Sequence, residues 1–87
     1  MFKDFFIKNF RSNKSISHEE AEDIKQEIGR LEDDTKLREA QIIKLQKLVI
    51  NDPVHETRYN KRIQIHFRII DDNQNRIEEL KMKLLNN

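Results

Sequence analysis

Apolar residues recur at intervals of three and four along the first long segment of the chain, from Ser17 to about Ile50. This spacing is typical of a helix that packs along one side in a coiled coil, and it does not match the two-residue period of a strand. Ser17 and Glu20 have the spacing of a capping box, so we expect the helix to begin there. The stripe comprises Ala21, Ile24, Ile28, Leu31, Thr35, Arg38, Ile42, Leu45 and Val49.

A second stripe with the same spacing follows Asp52 and Pro53. Proline is favoured at the first position of a helix and disfavours helical geometry in the residue before it. We therefore predict a turn at 51–53 between helices at about 17–50 and 53–86. The second stripe comprises Tyr59, Ile63, His66, Ile70, Asn73, Ile77, Leu80 and Leu84.

The two stripes mesh if the chain folds back at this turn. The facing residue numbers then add to a nearly constant value, which pairs Leu45 with Tyr59, Ile42 with Ile63, Ile28 with Ile77 and Ala21 with Leu84. The sequence thus predicts an all-α protein in which residues 17–87 form an antiparallel coiled-coil helical hairpin. One alternative remains, because the alternation of apolar and polar residues over 62–69 also fits an edge strand.

Composition supports the helical interpretation. The 87 residues include one Gly and one Pro, whereas a sheet protein of this size needs many turns rich in both. The absence of Cys excludes disulfides and thiolate metal sites. No apolar run approaches the roughly 20 residues that span a bilayer, and Met1–Phe10 lacks the features of a signal peptide. We expect a cytoplasmic protein; its wealth of Ile, Lys and Asn suggests a low-GC genome, such as that of a bacterium or phage.

Four polar residues, Thr35, Arg38, His66 and Asn73, interrupt the stripes near the middle of the hairpin. In the antiparallel register Arg38 lies opposite His66. Polar residues in an apolar seam can fix the register of two helices, which is the favoured interpretation. The alternative is a partner-binding or pH-sensing site built on His66.

Further apolar residues lie off both stripes, mostly in the half of the hairpin nearest the turn. Two helices that pair along one stripe leave such side chains exposed, and exposed apolar area usually marks an interface. We expect a homodimer that forms a four-helix bundle, or a higher homo-oligomer. The layout is similar in outline to small dimeric helical-hairpin regulators, with which the chain shares no motif. The predicted self-association residues are Leu37, Ile43, Leu48, Ile50, Ile65, Phe67 and Ile69.

Residues 1–16 form a separate Phe-rich segment with a polar linker. Phe2, Phe6 and Phe10 are spaced to share one side of a short helix, with Phe5 close to it, and Lys3, Lys8 and Arg11 add positive charge. Such a segment can pack on its own hairpin, dock on a protein partner or lie on a membrane surface.

Charge is strongly segregated along the chain. Residues 17–34 carry eight acidic and two basic side chains, whereas residues 36–68 carry eight basic and three acidic ones. The basic residues near the turn could contact nucleic-acid phosphates, or acidic partners that include residues 19–34 of a neighbouring copy. The candidates for nucleic-acid binding are Lys44, Lys47, Arg58, Lys61 and Arg62.

The sequence contains no pattern typical of catalysis. His18, His55 and His66 are not spaced to share a helical face, and there is no Gly-rich phosphate loop or HExxH motif. We expect no catalytic residue, metal or cofactor. The favoured function is a protein–protein interaction or adaptor module, with a nucleic-acid-binding regulator or a peripheral membrane protein as alternatives.

Overall fold

The computed structural model describes residues 16–86, which form two long helices joined by a short turn. Helix α1 spans His18–Asn51, a 3-10 turn spans Pro53–His55, and helix α2 spans Glu56–Leu85. The helices run antiparallel and pack on each other, which confirms the predicted helical hairpin. The strand alternative is wrong, because residues 62–69 lie inside α2. The Phe-rich segment and most of its linker, residues 1–15, lie outside the described residues.

Helix α1 begins at the predicted cap. The Ser17 hydroxyl accepts a hydrogen bond from the Glu20 backbone N–H at 3.0 Å, which satisfies one of the N–H groups that a helix start leaves unpaired. Glu19 and Glu20 in the first turn place negative charge at the positive end of the helix dipole. The sequence therefore specifies this helix start through local hydrogen bonding and charge.

The turn differs from its predicted form by three residues. The Asp52 backbone lies outside the helical region, at φ −140° and ψ 70°, in agreement with the bias of a residue before proline against helical geometry. Pro53 then starts a 3-10 turn in which the His55 N–H donates to the Asp52 carbonyl at 3.2 Å, and α2 starts only at Glu56. The expected helix start at Pro53 is thus wrong by one turn.

The core lies in the seam between the helices. Ile42, Leu45, Ile63 and Ile70 form a buried cluster in the half nearest the turn, and Val49 and Tyr59 pack against it. Ile28 and Leu80 are buried further towards the free ends of the hairpin. All eight residues belong to the two predicted stripes, so the hydrophobic pattern identified the core correctly.

A contact across the free-end half agrees with the antiparallel pairing. The Arg76 guanidinium on α2 donates through Nε to Glu27 Oε2 on α1 at 3.4 Å. The Arg76 and Glu27 side chains are 43% and 34% exposed, so solvent screens this ion pair strongly. The contact therefore marks the register more than it stabilises the hairpin.

Leu80 provides a test of the seam near the free ends. Its side chain is 1% exposed, so Leu80→Ala leaves a cavity and should lower the free energy of unfolding by about 2–5 kcal/mol. The matched control is Leu85→Ala in the same helix, where the side chain is 78% exposed and the expected change is within about 0.5 kcal/mol. Urea unfolding followed by circular dichroism measures both. Equal effects of the two substitutions would contradict the burial of Leu80 in the seam.

Candidate functional site

A cluster of polar side chains interrupts the seam at the middle of the hairpin. The Asn73 amide donates to Asp34 Oδ2 at 2.9 Å and to Thr35 Oγ1 at 3.3 Å, and Thr35 in turn donates to the Leu31 carbonyl at 2.9 Å. Asn73 is the buried polar residue of the described chain, at 8% exposed. Because a buried amide without partners costs free energy, this arrangement favours one register of α1 against α2.

Arg38 and His66 complete the cluster, and their predicted pairing is confirmed. Arg38 Nη1 lies 3.2 Å from His66 Nδ1, and Arg38 Nε lies 3.5 Å from Asp34 Oδ2. A guanidinium can only donate, so His66 Nδ1 accepts and does not carry a proton in this arrangement. All of these groups bond to one another, and the described residues contain no buried side-chain N or O atom without a partner.

Asp34 joins this cluster without having been predicted from the sequence. The hydrogen bond from Asn73 lowers the pKa of the Asp34 carboxyl, as does the nearby charge of Arg38. Asp34 lies beside the seam position Thr35, at the edge of the stripe, and four residues before Arg38. That i to i+4 spacing of opposite charges was the available signal.

A second polar cluster lies at the turn. Asp52 Oδ2 accepts hydrogen bonds from the Tyr59 hydroxyl and from His55 Nδ1, both at 2.8 Å. The rings of His55 and Tyr59 also meet edge to face, with centroids 6.2 Å apart. The Asp52 side chain makes no capping bond to the backbone of the helical turn that follows it. It instead ties the turn to the first turns of α2.

These bonds shift the pKa values of the two acids in opposite directions. The hydrogen bond from His55, followed by that from Tyr59, lowers the pKa of Asp52. The hydrogen bond to Asp52 raises the pKa of Tyr59, and burial and the Asp52 charge act in the same direction. This cluster fastens the turn, and all three side chains are at least partly exposed.

The predicted self-association residues lie largely in solvent. Within the described chain, Leu37, Ile43, Leu48, Ile50, Ile65 and Phe67 are exposed, as is Val54 in the turn, whereas Ile69 is only partly exposed. At 3.6 residues per turn, these side chains fall on two opposite sides of the seam. We define the Leu48 face as Leu37, Leu48, Ile65 and Ile69, and the Ile43 face as Ile43, Ile50 and Phe67.

One cross-helix contact and one groove agree with this division of the two sides of the hairpin. Glu27 and Arg76, which flank the seam on the side of the Leu48 face, bond to each other. An open groove on the opposite side is lined by Glu39 of α1 and Gln74 of α2, together with Thr35. The exposed apolar residues are therefore divided between two surfaces, the Leu48 face and the Ile43 face.

The five predicted nucleic-acid-binding residues lie near the turn in two groups, one on each helix. Arg58, Lys61 and Arg62 of α2 line an open concave surface together with Val54, His55 and Thr57. Lys44 and Lys47 on α1 are exposed and lie outside that lining. The structure thus brings together three of the five candidates for nucleic-acid binding.

The predicted docking residues Phe2, Phe5, Phe6 and Phe10 lie outside the described residues. Across residues 16–86, no group of three or more His, Cys, Asp or Glu side chains is arranged to hold a metal ion. Neither α1 nor α2 is apolar enough over its length to cross a membrane.

The Tyr59–Asp52 bond predicts a pH dependence that can be observed directly, since Tyr59 is the one tyrosine in a chain without tryptophan. Absorbance titration of the phenol should give a pKa above its ordinary value of 10.0. Because the folded-state pKa is raised, the bond stabilises the hairpin below pH 10 and this stability is lost as pH rises through the folded-state pKa.

Replacing the acceptor tests the cause of this shift. Asp52→Ala should return the Tyr59 pKa towards its ordinary value and remove the alkaline loss of stability. Glu56→Ala is the matched control, because it removes an equal charge from the first turn of α2 without a hydrogen bond to Tyr59. A shift of the same size in both variants would contradict the assignment.

Comparisons of the chain with protein-family models, with curated proteins and with solved structures find no match.

Proposed function

We propose that this protein is a non-catalytic protein–protein interaction module, which self-associates through its helical hairpin and docks a partner through its Phe-rich N-terminal segment. The observation that carries the proposal is the set of large apolar side chains exposed on the turn half of the hairpin. Clusters of this kind on a soluble protein are typical of interfaces.

The size of the hairpin core supports self-association. Six apolar residues are buried among residues 16–86, whereas nine large apolar residues are exposed. Each fully buried Leu, Ile or Phe contributes about 1.5–3 kcal/mol, so a pair of helices with so few is marginally stable by itself. Burial of one exposed face against another copy would add to the stability of the hairpin as well as produce an assembly.

The polar clusters support a structural role more than a chemical one. The central cluster satisfies its hydrogen bonds internally and links the two helices. The turn cluster joins Asp52 to His55 and Tyr59. In both clusters the hydrogen bonds join separate parts of the fold, α1 to α2 in the first and the turn to α2 in the second.

The N-terminal segment enters the proposal through its sequence. Phe2, Phe6 and Phe10 have the i, i+4, i+8 spacing of anchor residues that bind in the groove of a partner. The basic residues Lys3 and Lys8 favour a partner with an acidic rim.

A second candidate function is nucleic-acid binding at the turn, and the concave surface lined by Arg58, Lys61 and Arg62 favours it. Their spacing at i, i+3 and i+4 places the three cations on one stretch of α2. None of the three forms an ion pair within residues 16–86, so their charge is free for phosphates.

Self-association predicts a mass of at least twice that of the monomer in multi-angle light scattering at micromolar concentration. Replacing Leu37, Ile43, Ile65 and Phe67 together by Gln should give a monomer that stays helical, because these side chains are exposed in the hairpin. The control replaces Met82 and Leu85, exposed near the free ends, and should keep the assembly. A wild-type protein that stays monomeric at about 100 μM, far above the Kd of a stable assembly, would exclude self-association.

Nucleic-acid binding predicts an affinity for duplex DNA or single-stranded RNA that falls steeply with salt, with a slope of roughly 0.7–0.9 per phosphate contacted. The triple variant Arg58→Glu, Lys61→Glu, Arg62→Glu should abolish it. The matched control reverses Lys81 and Lys83 near the free end. Fluorescence anisotropy at low ionic strength measures both, and no binding by the wild type would exclude this candidate.

A further inference from the structure

We propose that the Leu48 face binds a second copy of the chain with the two hairpins antiparallel, so that the turn of each lies over the free ends of the other. This rests on the proposed self-association and adds the face and the orientation. The inference follows from the level of the apolar side chains along the hairpin and from the charges around them.

The apolar side chains of the Leu48 face are arranged for two-fold self-pairing. Because Arg38 contacts His66, Leu37 lies level with the midpoint between Ile65 and Ile69. A two-fold axis through this level brings Leu37 against Leu37 of the second copy, and Ile65 against its Ile69. This is the reciprocal pairing that a symmetric interface requires.

The position of this axis also determines the overlap. Helix α1 has 34 residues from His18 to Asn51, so its centre falls at Asp34 and Thr35. An axis level with Leu37 lies within one helical turn of that centre. Two antiparallel hairpins therefore overlap along almost their whole length.

The net charge of each half favours the antiparallel orientation, although the same axis also brings Lys44 near Arg30 and Arg58 near Arg76 of the second copy. On the side of the Leu48 face, the turn half carries basic side chains and no acidic ones, whereas acidic side chains outnumber basic ones in the free-end half. Parallel hairpins would place the basic turn halves together, and antiparallel hairpins place each on an acidic half. The turn half carries Lys44, Arg58 and Arg62, and the free-end half carries Glu20, Asp23, Glu27, Asp34, Asp72 and Glu79 against Arg30, Arg76 and Lys83.

One intermolecular ion pair follows from the symmetry. Arg62 precedes Ile65 by three residues, and Asp72 follows Ile69 by three. If Ile65 meets Ile69 of the second copy, Arg62 meets its Asp72. Both side chains are exposed, and neither forms an ion pair within residues 16–86.

The Ile43 face fits a second copy less well. Its apolar residues lie closer to the turn, with Ile50 one residue from the end of α1, so pairing them symmetrically would overlap only part of each hairpin. Charges on that side are mixed in both halves, as Lys36 beside Glu39 and Lys25 near Glu22 illustrate. Neither orientation gains from them.

The orientation can be measured because the chain contains no cysteine. A spin label on Val54→Cys marks each turn, at a position that is exposed in the hairpin. From the rise of 1.5 Å per residue, antiparallel hairpins place the two labels about 40 Å or more apart. Parallel hairpins place them within about 20 Å, since packed helices lie roughly 10 Å apart.

The face is tested by two matched substitutions. Ile65 on the Leu48 face and Ile43 on the Ile43 face are both 54% exposed, so Ile65→Gln and Ile43→Gln make the same change to the free hairpin. Ile65→Gln should raise the dimer dissociation constant at least about tenfold, because the interface contains the residue twice. Ile43→Gln should leave it within about twofold, as for a surface change outside an interface.

A charge exchange tests the predicted contact. Arg62→Asp and Asp72→Arg should each weaken the dimer, and the double variant should restore it, in low salt more than in high salt. Lys61→Asp, on the outer side of α2, is the control and should leave the dimer unchanged. Sedimentation equilibrium measures all four proteins.

The outcomes separate this inference from the function on which it rests. A dimer with a short Val54 distance, or one weakened by Ile43→Gln and not by Ile65→Gln, would overturn the arrangement and leave self-association intact. A monomeric wild type would overturn both. A long distance together with restoration by the double variant would support the arrangement.

Discussion

The architecture depends on the packing of two apolar stripes, one from each helix, in a single alignment along the hairpin. Each helix offers one stripe, and the stripes meet only if α1 and α2 are aligned so that Arg38 faces His66 and Asn73 reaches Thr35. A slip by one turn would leave the Asn73 amide against apolar side chains without its two acceptors. The polar cluster thus favours the alignment in which the apolar residues on either side of it pack.

The same constraint creates the exposed surfaces. A helix paired with one neighbour buries one stripe, and any apolar residue beside that stripe stays in water. Leu37 and Ile65 flank the seam on one side, and Ile43 and Phe67 on the other. The Leu48 face and the Ile43 face are therefore exposed because each helix buries only its seam stripe. They lie on opposite sides of the seam because the α-helix has 3.6 residues per turn.

The seam was predictable from the sequence, because the spacing of Leu45, Ile63 and their neighbours depends on helical periodicity alone. The Arg38–His66 pairing followed from the same alignment. The roles of Asp34 and Asp52 were not predicted, because their partners lie across the hairpin or across a turn whose 3-10 geometry the stripes do not encode. The interpretation of Pro53 as the first helical residue was wrong for the same reason. The division of the exposed apolar residues into the Leu48 face and the Ile43 face was implicit in their spacing. It became evident once the alignment of α1 against α2 was known.

Charged and apolar residues are distributed differently in this chain, since the apolar residues form stripes along each helix and the charged residues do not. Charge is segregated along the length of the hairpin, with residues 17–34 strongly acidic and residues 36–68 basic. Among residues 16–86, the seam is crossed by one ion pair between carboxylate and guanidinium, Glu27 with Arg76. Lys44, Arg58 and Arg62 form no ion pair with an acidic side chain of the described residues. Separation of charge along a rod weakens the folded monomer slightly through self-repulsion, and it favours rods that lie in opposite directions. The pattern therefore adds little to the stability of a single hairpin, and the proposed antiparallel assembly would make use of it.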